Sequence, residues 1–160
     1  MPADEPPRPG RSHVLLVGSA GGHLAQLIRL EGWWQAHDRT WVTFDKPDAR
    51  SLLARESVIW AHHPTTRNAA NLVRNLLLAV REVRRIRPDM VVSTGAGVAL
   101  PFFAMARLLR IPTVYVEVFD RIDSRTLTGR LCRPFTTRFC VQWPEQQPLY
   151  RNSIVIGPLL

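Results

Sequence analysis

The segment HVLLVGSAGGHLAQL, residues 13–27, decides the fold class because it joins a run of β-forming residues to a helical segment through a turn of small residues. A strand–turn–helix unit of this kind often holds a phosphate, since small residues let backbone N–H groups approach an anion at the N-terminus of a helix. The segment also places a histidine, His23, where the helix begins. The segment therefore raises two questions: which anion the turn binds, and what His23 does at the start of the helix.

Short β-rich runs and helical segments continue to alternate along the chain. The β-rich runs are residues 13–17, 40–44, 57–61, 89–94, 113–118, 137–141 and 153–157, and the helical segments are residues 22–36, 49–54, 68–87, 99–109, 124–131 and 145–150. Strands that alternate with helices indicate βαβ units. We therefore predict a Rossmann-like α/β domain over residues 12–160, with a mostly parallel sheet and helices on both faces. Residues 1–11 are expected to be a disordered leader, since they are rich in proline and lack the apolar core of a signal peptide.

The composition limits the classes of partner. The 160 residues include 21 Lys and Arg against 13 Asp and Glu, and the net charge of +8 predicts a negatively charged partner. Nucleic acid is not expected, because the basic residues are not interleaved with aromatic ones in a binding motif. The two cysteines, Cys132 and Cys140, have no metal-binding spacing, so we predict no metal site. No segment reaches the ~20 apolar residues that span a bilayer, so membrane contact would be peripheral.

The first small-residue loop fits a phosphate better than a dinucleotide. Its predicted phosphate-binding residues are Ser19, Gly21, Gly22 and His23. The dinucleotide motif G-x-G-x-x-G is matched poorly, because Ala20 and His23 stand at glycine positions, although Asp45 at the end of the second β-rich run keeps a nicotinamide cofactor as an alternative. A tight turn without a ligand is the other alternative. In this context a neutral His23 would donate a hydrogen bond or accept a proton.

Two further loops follow β-rich runs and should meet the first at the same edge of the sheet. One carries the small residues Thr94, Gly95 and Gly97, which suggests a ligand with an extended anionic part such as a diphosphate. In the other, Glu117 at the end of a β-rich run is a candidate general base. The alternative is that Glu117 forms an ion pair with Arg121.

The helix over residues 68–87 shows two faces. At 100° per residue its predicted core stripe is Leu72, Leu76, Ala79, Val80, Val83 and Ile86. The opposite side carries Arg67, Arg74, Arg81 and Arg85, flanked by Leu77 and Leu78. A cationic face beside leucines suits an anionic membrane surface, and the alternative is a solvated charged face.

Four strings carry a family resemblance: GSAGGHLAQL, RPDMVVSTGAGVALPF, VYVEVFDRIDSRTLTGRL and VQWPEQQPLY…VIGPLL. In order and spacing they resemble the Alg-fourteen-like oligosaccharide biosynthesis family, which includes the PssD and CpsF proteins of bacterial exopolysaccharide synthesis. The likeness runs from about residue 13 to the last residue. It implies that the chain is equivalent to the N-terminal half of a GT-B glycosyltransferase. A separate chain similar to Alg-thirteen or PssE would then bind the sugar nucleotide.

The resemblance also implies a reaction and a place for it. The pair of chains would transfer N-acetylglucosamine, glucuronic acid or galactose from a UDP-sugar to a lipid-diphosphate acceptor with inversion, at the cytoplasmic face of the membrane and with no tightly bound cofactor. By position, Gly21, Gly22 and His23 fall on the family's first loop, Thr94, Gly95 and Gly97 on its second, and Glu117 and Arg121 on the acidic and basic positions of its third segment. Either Glu117 or His23 would be the base. The alternative is a non-catalytic subunit that recruits and activates a catalytic partner. Eukaryotic members resemble membrane anchors with an N-terminal hydrophobic helix, which is not found in this sequence.

Overall fold

The seven predicted β-rich runs are the seven strands of one sheet in the computed structural model, which describes residues 11–160. The strands are β1 His13–Gly18, β2 Asp38–Phe44, β3 Val58–Ala61, β4 Met90–Gly95, β5 Thr113–Val116, β6 Arg138–Val141 and β7 Ile154–Val155. Every neighbouring pair is parallel, and the order is β3-β2-β1-β4-β5-β6-β7. The order reverses between β1 and β4, where open parallel sheets bind their ligands. The predicted Rossmann-like fold is confirmed.

The helices also follow the prediction, with two differences. They are α1 Gly22–Arg29, α2 Glu31–Trp34, α3 Pro47–Leu52, α4 Ala69–Ile86, α5 Ala99–Leu108 and α6 Leu127–Cys132. The helix predicted over residues 22–36 is thus two helices. The segment predicted as helical near residue 145 is a 3-10 helix, Pro144–Leu149, because prolines at its start and inside it lack the N–H that an α-helix needs. A shorter 3-10 helix, Arg133–Phe135, follows α6.

The core lies on both faces of the sheet. From β1, Leu15 and Val17 pack with α4 and α5 on one face, while Val14 and Leu16 pack with α1 and α2 on the other. Burial on both faces explains why the central strands are nearly continuous apolar runs. The predicted leader, residues 1–11, lies outside the described residues except Arg11, whose guanidinium lies 3.7 Å from the Asp38 carboxylate.

The predicted core stripe of α4 is wrong at two positions. Leu72 and Leu76 are 44% and 43% exposed. In their place Asn71 and Asn75 are buried. The Asn75 side chain accepts a hydrogen bond from the His62 N–H at 2.8 Å and donates to the His62 carbonyl at 2.9 Å. The Asn71 amide likewise donates to the Pro64 carbonyl at 2.8 Å. These bonds fix the rotation of α4, because two buried amides bind the loop before the helix and turn the leucines outward.

The predicted surface of α4 also needs correction at two residues. Leu78 packs in the core and is only 7% exposed, so it is not part of an outer surface. Arg67 precedes the helix, in the left-handed conformation with φ of 50°. The exposed side of α4 consists of Leu72, Val73, Leu76 and Leu77 together with Arg74, Arg81, Arg84 and Arg85.

Candidate functional site

The loops that follow β1 and β4 meet where the strand order reverses, and two hydrogen bonds join them. The His23 Nδ1 lies 2.8 Å from the Thr94 carbonyl oxygen, and the Thr94 hydroxyl donates to the His23 carbonyl at 2.6 Å. Because a carbonyl only accepts, Nδ1 carries a proton, and in the neutral imidazole Nε2 is then the acceptor. The fold therefore fixes both the position and the tautomer of this imidazole.

Gly95 makes room for the His23 ring. Its φ of 119° favours glycine, and a Cβ at this position would lie 3.0 Å from both His23 Cε1 and the Tyr115 hydroxyl. The predicted small residue at 95 thus serves the packing of the imidazole. Thr94 and Gly95 lie behind the ring, where they support it.

His23 faces a cleft of about 400 Å³ beside the carboxyl ends of β1, β4 and β5. The lining includes Gly22, His23, Gln26, Phe119, Arg121 and Thr128. The cleft therefore brings together three predicted residues from two distant loops: Gly22, His23 and Arg121. A proton acceptor and a cation in one cleft can serve an acceptor hydroxyl and a phosphate, respectively.

The remaining small residues of the predicted site lie outside this lining. The Gly21 N–H donates to an Asp48 carboxylate oxygen at 2.8 Å, so a side chain of the protein already binds it. Gly97 packs against Thr65, since a Cβ at 97 would lie 3.0 Å from the Thr65 Cβ. Ser19 is half-buried in the first loop.

Glu117 is fully buried rather than exposed to the cleft. Its carboxylate accepts hydrogen bonds from the Val118 N–H at 3.0 Å, from the Thr126 hydroxyl at 2.9 Å and from the Tyr150 hydroxyl. Among residues 11–160 it forms no ion pair with Arg121, so the predicted alternative of a Glu117–Arg121 pair is wrong. Burial raises the pKa of the Tyr150 phenol, and the Glu117 carboxylate raises it further. Tyr150 therefore remains a hydrogen-bond donor at neutral pH.

A buried network of glutamines, absent from the sequence prediction, holds the loop after β5 in place. This third loop contains Glu117 and Arg121. The Gln142 amide donates to the Gln26 side chain and, at 2.9 Å, to the Glu117 carbonyl. The Gln146 amide donates to the carbonyls of Val118 and Arg121 at 2.8 and 3.0 Å. The position of Arg121 in the cleft thus depends on Gln146. The one signal in the sequence was Gln26, which lies three residues after His23 and so on the same side of α1.

The family model described as "Oligosaccharide biosynthesis protein Alg14 like" matches residues 61–159, more than half of the chain. The chain belongs to the Alg14-like family. Among relatives of this Alg14-like chain, the protein named "UDP-N-acetylglucosamine transferase subunit ALG14" is 25% identical in Mus musculus, covering 92% of this chain and 82% of the relative. The protein of the same name in Eremothecium gossypii is 28% identical, covering 97% and 81%.

Solved structures support the fold of this Alg14-like chain. MurG of Acinetobacter baumannii aligns with a TM-score of 0.72 and 19% identity, covering 92% of this chain and 46% of that one. The UDP-N-acetylglucosamine 2-epimerase of Rickettsia bellii aligns with a TM-score of 0.74 and 11% identity, covering 93% and 45%. The chain spans about half the length of these two structures.

Proposed function

We propose that this Alg14-like chain is the acceptor-binding subunit of an inverting glycosyltransferase that uses a UDP-sugar and a lipid-diphosphate acceptor. The observation that carries the proposal is the contact of His23 Nδ1 with the Thr94 carbonyl, which leaves Nε2 directed away from that bond, in the same cleft as the Arg121 guanidinium. The names of the relatives favour N-acetylglucosamine as the transferred sugar over glucuronic acid or galactose.

The chemistry follows from these two groups. The acceptor oxygen attacks the anomeric carbon of the UDP-sugar while His23 Nε2 takes its proton, and UDP leaves with the electrons of the broken carbon–oxygen bond. The Thr94 carbonyl keeps the imidazole oriented and, by accepting the Nδ1–H, stabilises the imidazolium that forms when Nε2 takes the proton. Arg121 binds the acceptor diphosphate through its guanidinium. Glu117 acts as a positioning residue, since it holds the Thr126 hydroxyl at the cleft wall.

We further propose that a second chain, similar to Alg-thirteen or PssE, supplies the site for the UDP-sugar. The edge of the sheet at β7 supports this partner. Ile154, Val155 and Ile156 are 47%, 36% and 41% exposed there, and an apolar sheet edge is suited to pairing with another chain.

The exposed side of α4 supports peripheral contact with the cytoplasmic face of the membrane. Leu72, Val73, Leu76 and Leu77 would enter the interface, while the arginines of the same helix contact anionic headgroups. Within residues 11–160, no helix combines the length and apolar character needed to cross a bilayer.

The test is glycosyl transfer by the chain reconstituted with its sugar-nucleotide partner on lipid vesicles. In His23→Asn the amide can still donate to the Thr94 carbonyl, but the acceptor at the Nε2 position is lost. We expect kcat to fall by about 10²–10⁴-fold, the usual contribution of a general base. His62→Asn, at an exposed loop histidine, is the matched control and should leave kcat unchanged.

The same experiment separates catalysis from recruitment. Assembly with the partner is measured by co-purification. If His23→Asn and Glu117→Gln both assemble normally and turn over at the wild-type rate, the chain is a non-catalytic recruiting subunit instead. If His23→Asn keeps its activity and only Glu117→Gln loses turnover while still assembling, the base is Glu117 and the assignment to His23 is wrong.

A further inference from the structure

Four arginines line a second cavity, of about 380 Å³, that shares no lining residue with the cleft. They are Arg125, Arg130, Arg133 and Arg151, and Leu149 and Tyr150 complete the lining. Among residues 11–160, none of the four guanidinium groups lies within ion-pair distance of a carboxylate. Four uncompensated positive charges around one cavity favour an anionic ligand.

Two of these guanidinium groups are held in place by aromatic rings. Arg125 lies 5.8 Å from the centroid of the Tyr150 ring, and Arg133 lies 5.3 Å from that of Phe139. The two rings stack on each other at 4.2 Å, and Arg133 also donates to the Arg151 carbonyl. Side chains that are already ordered lose less conformational entropy when they bind a ligand.

The surroundings of the cavity favour a phosphate carried by an apolar molecule. Guanidinium groups recognise phosphate oxygens through paired hydrogen bonds. On α6, beside Arg130, Leu127 and Leu131 are 69% and 47% exposed and lie four residues apart, on the same side of the helix. Exposed leucines beside arginines are typical of a surface that lies in a lipid interface.

The position of α6 agrees with this interpretation. It packs against α5, and α5 packs against α4, so the three helices belong to one layer over the same face of the sheet. The leucines of α6 and those of α4 are therefore exposed on the same layer of the molecule.

We propose that the cavity formed by Arg125, Arg130, Arg133 and Arg151 binds the phosphate of an anionic phospholipid, as a headgroup site separate from the cleft of His23. The inference rests on the peripheral membrane contact in the proposed function, and it is independent of the glycosyl transfer. The headgroup would hold the chain on the membrane without occupying the cleft that the lipid-linked acceptor needs.

The test measures binding of the full chain to vesicles of phosphatidylcholine alone and of equal parts phosphatidylcholine and phosphatidylglycerol. The variant is Arg130→Gln with Arg151→Gln, two exposed side chains with no hydrogen bond inside the described structure. The matched control is Arg29→Gln with Arg55→Gln, which removes the same charge from exposed positions at α1 and after α3. We expect the cavity variant to bind phosphatidylglycerol vesicles roughly thirtyfold more weakly, since each arginine near an anionic surface contributes about fivefold. The control should stay within about threefold, since its charges lie on the opposite face of the sheet, beyond screening distance of the lipid.

Several outcomes would overturn the proposal. Equal losses in the cavity variant and the control would mean that only total charge matters. If the cavity variant keeps vesicle binding but loses binding of inorganic phosphate in calorimetry, the ligand is a soluble phosphate. If it keeps vesicle binding but no longer co-purifies with the sugar-nucleotide partner, the cavity binds a protein. Because none of these assays measures transfer, normal vesicle binding of the cavity variant together with an inactive His23→Asn would reject this inference alone.

Discussion

At the scale of single residues, Gly129 shows how closely the buried carboxylate of Glu117 is enclosed. A Cβ at residue 129 would lie 2.5 Å from Glu117 Oε2, 2.7 Å from the Tyr150 hydroxyl and 2.8 Å from the Thr126 hydroxyl. All three contacts are too short for a methyl group. The glycine is therefore required by the hydrogen-bonded cluster that packs against α6.

Gly129→Ala should accordingly destabilise the protein, by about 1–3 kcal/mol in the free energy of unfolding, because the methyl group displaces the cluster. Alanine in a helix normally stabilises relative to glycine by about 0.5–1 kcal/mol, so the expected sign is the reverse of the usual one. Gly32→Ala is the matched control, since nothing lies within 4 Å of a Cβ at that helical glycine. Urea unfolding measures both variants, and a stabilised Gly129→Ala would contradict the structure.

The sequence predicted the place of His23 at the start of α1 but not the environment of Glu117. The position of His23 follows from local order, strand, small-residue loop and helix, which the chain itself displays. The burial of Glu117 depends on Thr126 and on Tyr150, 33 residues further along. A pattern of neighbouring residues holds no information about such a pairing.

At the scale of elements, α4 shows where apolar periodicity fails. The bounds of the helix were predicted to within a residue. The Asn68 side chain caps it by accepting a hydrogen bond from the Asn71 N–H, and Arg87 ends it in the left-handed conformation. Its rotation was predicted wrongly, because a hydrophobic pattern treats asparagine as exposed. Two asparagines that satisfy loop backbone groups are stable in the core, and they determine which side faces inward.

Substitution of the buried Asn75 should therefore cost far more unfolding free energy than substitution of the exposed Leu72. Asn75→Ala leaves the His62 N–H and carbonyl without partners and should cost about 1–3 kcal/mol of unfolding free energy. Leu72→Ala, on the predicted core stripe, should change it by less than about 0.5 kcal/mol, since Leu72 is largely exposed. Chemical denaturation of both variants decides between the two faces. A larger loss for Leu72→Ala would restore the predicted stripe.

At the scale of the whole molecule, the order of the strands in the sheet brings the residues of the candidate site together. The chain passes from β3 back across the sheet to β4, so the loops after β1 and β4 become neighbours although His23 and Thr94 are 71 residues apart. The sequence predicted this meeting, because alternating strands and helices allow few topologies. It could not predict the glutamine bridge from Gln26 to Gln142, 116 residues away, which closes the cleft against the third loop.

The pKa values of three ionisable groups predict that the whole molecule loses stability at acidic pH. Burial lowers the pKa of His13 below its ordinary value of 6.5. For Glu82, burial alone would raise the pKa, but hydrogen bonds from Arg85 and Arg81 outweigh it and hold the pKa below 4.5. A hydrogen bond from Arg50 likewise lowers the pKa of Asp45. In all three cases the unfolded chain binds protons at a higher pH than the folded chain.

The free energy of unfolding should therefore decrease in two steps as the pH is lowered. Unfolding takes up protons wherever the pKa of a group is lower in the folded chain than in the unfolded chain. The His13 contribution is fully present above 6.5 and is lost as pH falls through its lowered folded pKa. The Glu82 and Asp45 contributions are present above 4.5 and 3.8 and disappear below their own lowered values. Unfolding free energies from urea titrations between about pH 8 and pH 3 give the slope. His13→Gln should flatten the upper step alone, and Glu82→Gln should reduce the lower one. An unfolding free energy that rises as the pH is lowered would contradict the lowered pKa values of these groups.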